Sequence, residues 1–230
     1  MKTVEQLAEL PAFRALREEI IALAQLRPDD RVLDLGAGTG LLTFAAASRV
    51  QRVTALDISP PMCQYLAQRI AELGVENVEI LVGDARRLPL ADASADVVVS
   101  NYCLHHLRES EKEDSLREIG RVLTPGGRLV IGDMMFRIGL RSARDRAVVL
   151  RIARRLLRRG PAGMLRLVRN ALRVVGGRAE HPASVEWWQE ALADTGFVNV
   201  NVRALSHEGG LACARRGGGA GSADGATVGA

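Results

Sequence analysis

The stretch "RVLDLGAGTG", Arg31–Gly40, runs an apolar segment into three glycines at alternate positions. A turn stripped of Cβ atoms between a strand and a helix lets a nucleotide approach the backbone closely. The dinucleotide fingerprint GxGxxG would follow Gly36 and Gly38 with a glycine at position 41, where this chain has Leu41. What stands there instead is acid-x-Gly-x-Gly-x-Gly: Asp34, Gly36, Gly38 and Gly40. Asp57 closes "VTALDISPPM" about 20 residues beyond the loop, where a carboxylate can accept both hydroxyls of a ribose. Ile58 would then pack beside the base of such a nucleoside. A third acid, Asp84, sits in "LVGDARRLPL". "SNYCLHHL" supplies Asn101, Tyr102, His105 and His106, polar and titratable groups at the same kind of position.

These residues depend on the elements that carry them. Apolar residues at helical spacing (Leu16, Ile20, Leu23) predict a helix over Phe13 to Leu26, and "RPDD" ends it before a strand over Val32 to Leu35. The pattern continues as helix Thr39 to Val50, strand Arg52 to Asp57, helix Pro60 to Leu73, strand Val78 to Val82 and strand Ala95 to Ser100. A helix over Ser110 to Leu123, a turn at "TPGG" and a strand over Arg128 to Gly132 follow. Near the end come a helix over Ser184 to Thr195 and a hairpin of Val198 to Val202 with Gly210 to Ala214. Short, uniformly apolar strands alternating with helices predict an α/β fold, a parallel sheet covered on both faces. Each acid then ends a strand.

Taken together, the acid and glycine pattern of Asp34 to Gly40, "LPLADASADVVVS", the "LHHL" segment and "REIGRVLTPGGRLVIGD" resemble the class I S-adenosylmethionine-dependent methyltransferases. The likeness is to the ubiquinone/menaquinone-biosynthesis type and its small-molecule relatives, closely over Val32 to Asp133. The resemblance implies a Rossmann-like, doubly wound seven-stranded sheet with an antiparallel last strand. It also implies a methyl transfer from S-adenosylmethionine to a small, apolar organic acceptor: quinone-like, lipid-like or a secondary metabolite. Gly36, Gly38 and Gly40 would open the methionine side, with Asp34 near the ammonium and Asn101 on the cofactor side. Asp57 and Ile58 would meet the adenosine, Asp84 the adenine amino group, and the Ala85 amide a ring nitrogen. His105, His106 and Tyr102 are the acid-base candidates on the acceptor side. Methyl transfer needs a base only if the acceptor must lose a proton. A nicotinamide-dependent oxidoreductase and a non-catalytic cofactor-binding module remain as alternatives. The Asn-Pro-Pro-Tyr form of enzymes that methylate nitrogen on DNA bases or glutamine amides is not at Asn101, where Tyr102 and Cys103 follow.

Composition bounds the rest. A chain of 230 residues with 47% hydrophobic residues predicts one α/β domain over 1–215 and a disordered tail over 216–230. The N-terminus reads as neither a signal peptide nor a membrane span, and Cys63, Cys103 and Cys213 lack CxxC spacing, so a cytoplasmic setting and no metal are expected. The net charge is +4, yet the span from Arg137 to Arg178 holds 13 arginines against one acid, Asp145. That span predicts a basic helical cap, with Arg151, Arg154, Arg155 and Arg158 on one face and Arg166, Arg169 and Arg173 repeating the arrangement. It is read as a lid over the acceptor or as a peripheral contact with anionic membrane at the inner face. Nucleic acid ranks below both, since aromatic residues make up only 3% of the chain.

Overall fold

The computed structural model describes residues 11–136, 146–147, 150–151, 154, 180–205 and 208–218. Most of the predicted cap over 137–178, and the tail beyond 218, lie outside the described residues. Arg146, Arg151 and Arg154 are helical and exposed.

The chain alternates as its apolar pattern demands. Helix α1 (Pro11–Ala24) leads to β1 (Arg31–Leu35), α2 (Leu41–Ala47), β2 (Arg52–Asp57), α3 (Pro60–Leu73) and β3 (Val78–Val82). Next come β4 (Ala95–Asn101), a short 3-10 turn (Leu104–His106), α4 (Glu109–Val122) and β5 (Leu123–Met134). After the basic span stand α5 (Val185–Asp194), β6 (Phe197–Ala204) and β7 (Gly209–Arg216). The seven strands form one sheet in the order β3-β2-β1-β4-β5-β7-β6. Strands β1 to β5 pair in parallel, and β7 runs antiparallel to both its neighbours. The antiparallel last strand that the resemblance implied is therefore present.

Alternation along each strand sorts the core into two layers. Leu33, Leu35, Val98, Leu129 and Ile131 face α4 and α5, meeting Leu116, Ile119, Trp188 and Leu192. Val32, Val97, Val99 and Val130 face the other way, onto Leu16, Ile20 and Ala24 of α1 and Leu42 and Ala46 of α2. Each such side chain taken fully out of water contributes about 1.5 to 3 kcal/mol before chain entropy opposes it. Both faces are thus sealed. The edges of parallel strands at their C-terminal ends are what remains open for chemistry, at the switch point between β1 and β4.

The "TPGG" segment departs from expectation. Instead of a turn preceding the strand, it belongs to β5, whose ladder runs from Ala95↔Leu123 to Val97↔Arg128 with the register shifting between them. Gly126 takes φ 75, so the extra residues are absorbed as an irregularity within the strand.

Behind the cleft rim, the wholly buried Lys112 of α4 bridges two chain segments. Its ammonium donates to the Leu107 carbonyl and, at 2.6 Å, to the His181 carbonyl. His181 N–H in turn donates to His105 O at 2.6 Å. The chain returning from the basic span is so fastened to the loop after β4.

Candidate functional site

The loop after β1 is held by its own backbone. Gly36 and Ala37 N–H donate to Leu56 O on β2 at 2.8 and 3.0 Å, and Gly40 N–H donates to Ala37 O at 2.8 Å. All three loop glycines have positive φ, at 77, 52 and 85. A Cβ on Gly36 would lie 2.2 Å from Cys103 Sγ, and one on Gly40 would lie 2.4 Å from Leu66 Cδ1. At Gly38 the nearest atom is 3.9 Å away. Gly36 and Gly40 are therefore demanded by packing, while Gly38 is demanded by its backbone angle alone.

Beside this loop opens a cleft of about 740 Å³, at the C-terminal ends of β1 to β4. Of the residues singled out in the sequence, Asp34, Gly36, Gly38, Asp57, Ile58, Asp84, Ala85, Asn101, Tyr102 and His106 line it. Gly40 and His105 do not. Gly40 instead caps α2, and His105 turns inward.

Asp34 is at the cleft floor, 1% exposed, and its Oδ2 accepts from Thr43 Oγ1 at 2.6 Å. Burial pushes its carboxyl up to about 6, against the lowering effect of the Thr43 bonds. Asp57 organises the glycine loop: Oδ2 accepts from Gly38 N–H and Oδ1 from Ser59 N–H, both at 2.8 Å. An ionised carboxylate has about four acceptor positions, so two stay open toward the cleft. Asp84 holds Arg86, whose guanidinium draws its carboxyl below the usual range. Ile58 is 66% exposed, an apolar side chain with its face to the cleft. The Asn101 side-chain oxygen is buried without a hydrogen-bond partner.

The two histidines part company. His105 Nδ1 lies 2.6 Å from Asp133 Oδ1, and its backbone N–H donates to Asp133 Oδ2 at 2.9 Å. His106 is exposed at the cleft, its ring 4.1 Å from that of His105. Partial desolvation of the ring, then the neighbouring His105, lower its pKa, which favours the neutral form. Tyr102 adopts φ 50 and donates its N–H to Gly132 O at 2.8 Å, which fixes the turn after β4. Desolvation, then Glu208 and Asp133, raise its phenol far above the ordinary value, so it acts as a neutral hydroxyl.

Sequence reasoning passed over Thr43, Cys103, Arg86 and Glu111. Thr43 lies nine residues after Asp34, in the first turn of α2, where a hydroxyl can point back at the strand end. Glu111 is the third residue of α4 and accepts from Arg108 N–H at 2.9 Å, a capping pattern legible in "RESE". Cys103 and Arg86 had no such local signal.

Residues 32–127 match the family described as "Methyltransferase domain". Among similar proteins, an arsenite methyltransferase of Halobacterium salinarum is 39% identical over 117 residues, 50% of this chain and 29% of its own length. The ubiquinone/menaquinone biosynthesis C-methyltransferase UbiE of Ectopseudomonas mendocina is 41% identical over 115 residues, 48% of this chain and 44% of its own. The uncharacterized methyltransferase YcgJ of Bacillus subtilis is 36% identical over 114 residues, 50% of this chain and 44% of its own. Its crystal structure superposes with a TM-score of 0.63 at 25% identity, covering 84% of this chain and 73% of that one. The matched part thus spans less than half of each of these relatives.

S-adenosylmethionine is the cofactor of class I methyltransferases, and the cleft residues fit it. An orphaned amide oxygen at Asn101 suits an ammonium donor, and the buried Asp34 carboxylate suits a cation. The open positions on Asp57 suit ribose hydroxyls, and Ile58 offers a flat apolar face. Among the described residues no group of three or more His, Cys, Asp or Glu could hold a metal ion, and no helix is long and apolar enough to cross a membrane.

Proposed function

We propose that this chain transfers a methyl group from S-adenosylmethionine to a small organic acceptor. The observation that carries the reading is the occupation of the glycine loop by Asp57. A dinucleotide needs free N–H groups there for its pyrophosphate. Here Gly36, Ala37, Gly38 and Gly40 N–H are spent on Leu56, Asp57 and Ala37, and the Gly38 partner is itself an anion. A loop whose N–H groups are already spent in this way offers no nest for a pyrophosphate. This argues against the nicotinamide alternative.

When bound, the cofactor supplies an activated methyl on a sulfonium. The chain's own residues align and desolvate: Asp34 and Asn101 hold the charged end, and Asp57 and Asp84 hold the adenosine. Tyr102, His106 and Leu107, which line the cleft, would form its acceptor side. Alignment of nucleophile, carbon and sulfur supplies much of the acceleration. His106, neutral and exposed, takes the proton where the acceptor must lose one.

An organic, largely apolar acceptor is favoured over a thiophilic oxyanion such as arsenite, because the three cysteines do not converge. Cys63 is 6% exposed with its sulfur toward Asp57 O and Leu81 O, Cys213 belongs to β7, and Cys103 lines the cleft. The kinship with the quinone-biosynthesis methyltransferase supports a ring acceptor.

Calorimetric titration with S-adenosylhomocysteine tests the cofactor reading: binding in the micromolar range and none for NAD is expected, and the reverse would overturn it. Incubating a metabolite extract with methyl-labelled cofactor and following label by mass spectrometry reports turnover and acceptor together. Binding without label transfer would favour a non-catalytic module.

A further inference from the structure

At one end of the cleft a single guanidinium joins two carboxylates that line it, Asp84 after β3 and Glu111 in the first turn of α4. Arg86 Nε stands 3.0 Å from both oxygens of Asp84, Nη2 is 2.6 Å from Oδ2, and the Arg86 backbone N–H is 2.9 Å from Oδ1. Its remaining arm, Nη1, donates to Glu111 Oε1 at 2.7 Å. A carboxylate has about four acceptor positions. Three N–H donors of one neighbour two residues along the chain, with Nε–H shared between the two oxygens, engage both oxygens of Asp84.

We propose that Arg86 competes with the adenine amino group for Asp84, and thereby sets the affinity of the cleft for adenosyl ligands. This rests on the reading of the cleft as an S-adenosylmethionine site. Both Asp84 oxygens are already engaged, so an exocyclic amine meets an uncontested oxygen only where an Arg86 arm has withdrawn. Withdrawal is inexpensive, because the Arg86 and Asp84 side chains are 42% and 32% exposed and salt screens such pairs. The guanidinium need not be abandoned to solvent either. Glu111 holds its far arm and offers a place for it to swing, so Asp84 is released while Arg86 stays paired. Arg86 is in this sense part of the binding site without being a contact the ligand gains.

The competition has a sign that a simple contact would not have. Arg86→Met and Arg86→Gln should bind S-adenosylhomocysteine about 3- to 10-fold more tightly than the unmodified chain, the worth of one or two exposed ion pairs. Replacing Asp84 by Asn in the Arg86→Met background should abolish the gain, because no carboxylate is left to liberate. Raising the salt concentration should tighten binding to the unmodified chain and leave Arg86→Met unchanged. Weaker binding by both Arg86 variants would overturn the proposal and make Arg86 a clamp on the adenine face. Equal affinity in all forms would overturn it as well. Should S-adenosylhomocysteine bind no form at all, the cofactor reading itself fails, and the proposal with it.

Discussion

Asp133 grips His105 twice, through the ring at 2.6 Å and through the backbone N–H at 2.9 Å, and so ties the loop after β4 to the end of β5. Both residues are buried, at 0% and 6% exposure, whereas the adjacent His106 faces the cleft. Two neighbouring histidines therefore carry different burdens. His105→Ala leaves a buried carboxylate short of a donor and should lower stability by about 2 to 4 kcal/mol in urea denaturation. His106→Gln should stay within about 0.5 kcal/mol of the unmodified chain. For an acceptor that must lose a proton, it should slow label transfer by about 100-fold or more. A destabilised His106 variant with normal turnover would reverse the assignment.

Asp34 predicts a pH dependence. Its folded pKa is raised from 3.8 to about 6, so the folded state binds its proton more tightly than the unfolded chain does. The stability this confers is complete below about pH 4, declines as pH rises, and is gone above about pH 6. Asp34→Asn stays neutral throughout and keeps an oxygen for Thr43. It should match the unmodified chain near pH 4 and exceed it by up to about 3 kcal/mol at neutral pH. Cofactor affinity should move the opposite way, since the ionised carboxylate serves the ligand's positive charge. Denaturation curves and S-adenosylmethionine titrations over that range check both signs.

The glycine loop predicts an ordered series. Gly38→Ala meets only the backbone penalty of its φ 52 and should lose about 1 to 2 kcal/mol. Gly36→Ala adds a collision with Cys103 and should lose several kcal/mol, on the order of 3 or more. Combining it with Cys103→Ala should recover part of that loss, because Sγ goes while Cβ at 2.5 Å stays. Thermal melts of the three variants beside the unmodified chain suffice. No recovery in the double variant would show that the Cys103 sulfur does not set the requirement.

Much of the fold is legible in the amino-acid sequence. The strand Arg52–Asp57, the helix Pro60–Leu73 and the strand Val78–Val82 fall where the apolar pattern places them, even though Val78–Val82 lies at the sheet edge with no fully buried residue. The three acids at strand ends are visible in turn: once the strands are known, so are their ends. What stays hidden depends on partners far along the chain or on side-chain conformation. Nothing in "LHHL" says which histidine turns inward, since Asp133 decides it from 28 residues away. Asp84 looks like a vacant acceptor in the sequence and has both oxygens engaged by Arg86 in the fold. "TPGG" reads as a turn because its glycines and proline usually make one, yet pairing on either side draws it into β5.

Asp57 gives the last prediction, because it does two things at once. Its open acceptor positions would hold the ribose, and its occupied ones pin Gly38 and Ser59 N–H at 2.8 Å. Asp57→Ala removes both and should weaken S-adenosylhomocysteine binding by about 1.5 to 3 kcal/mol, roughly 10- to 150-fold. Asp57→Asn keeps one acceptor oxygen for either Gly38 or Ser59 but loses the charge. It should fall between the alanine variant and the unmodified chain. The loop itself should survive in both, since Gly36 and Ala37 remain bonded to Leu56 O. Calorimetric titration alongside urea denaturation separates the two roles. Unchanged affinity in a folded Asp57→Ala chain would remove the end of β2 from the cofactor site. An affinity loss that tracks unfolding step for step would instead reduce Asp57 to a strut of the glycine loop.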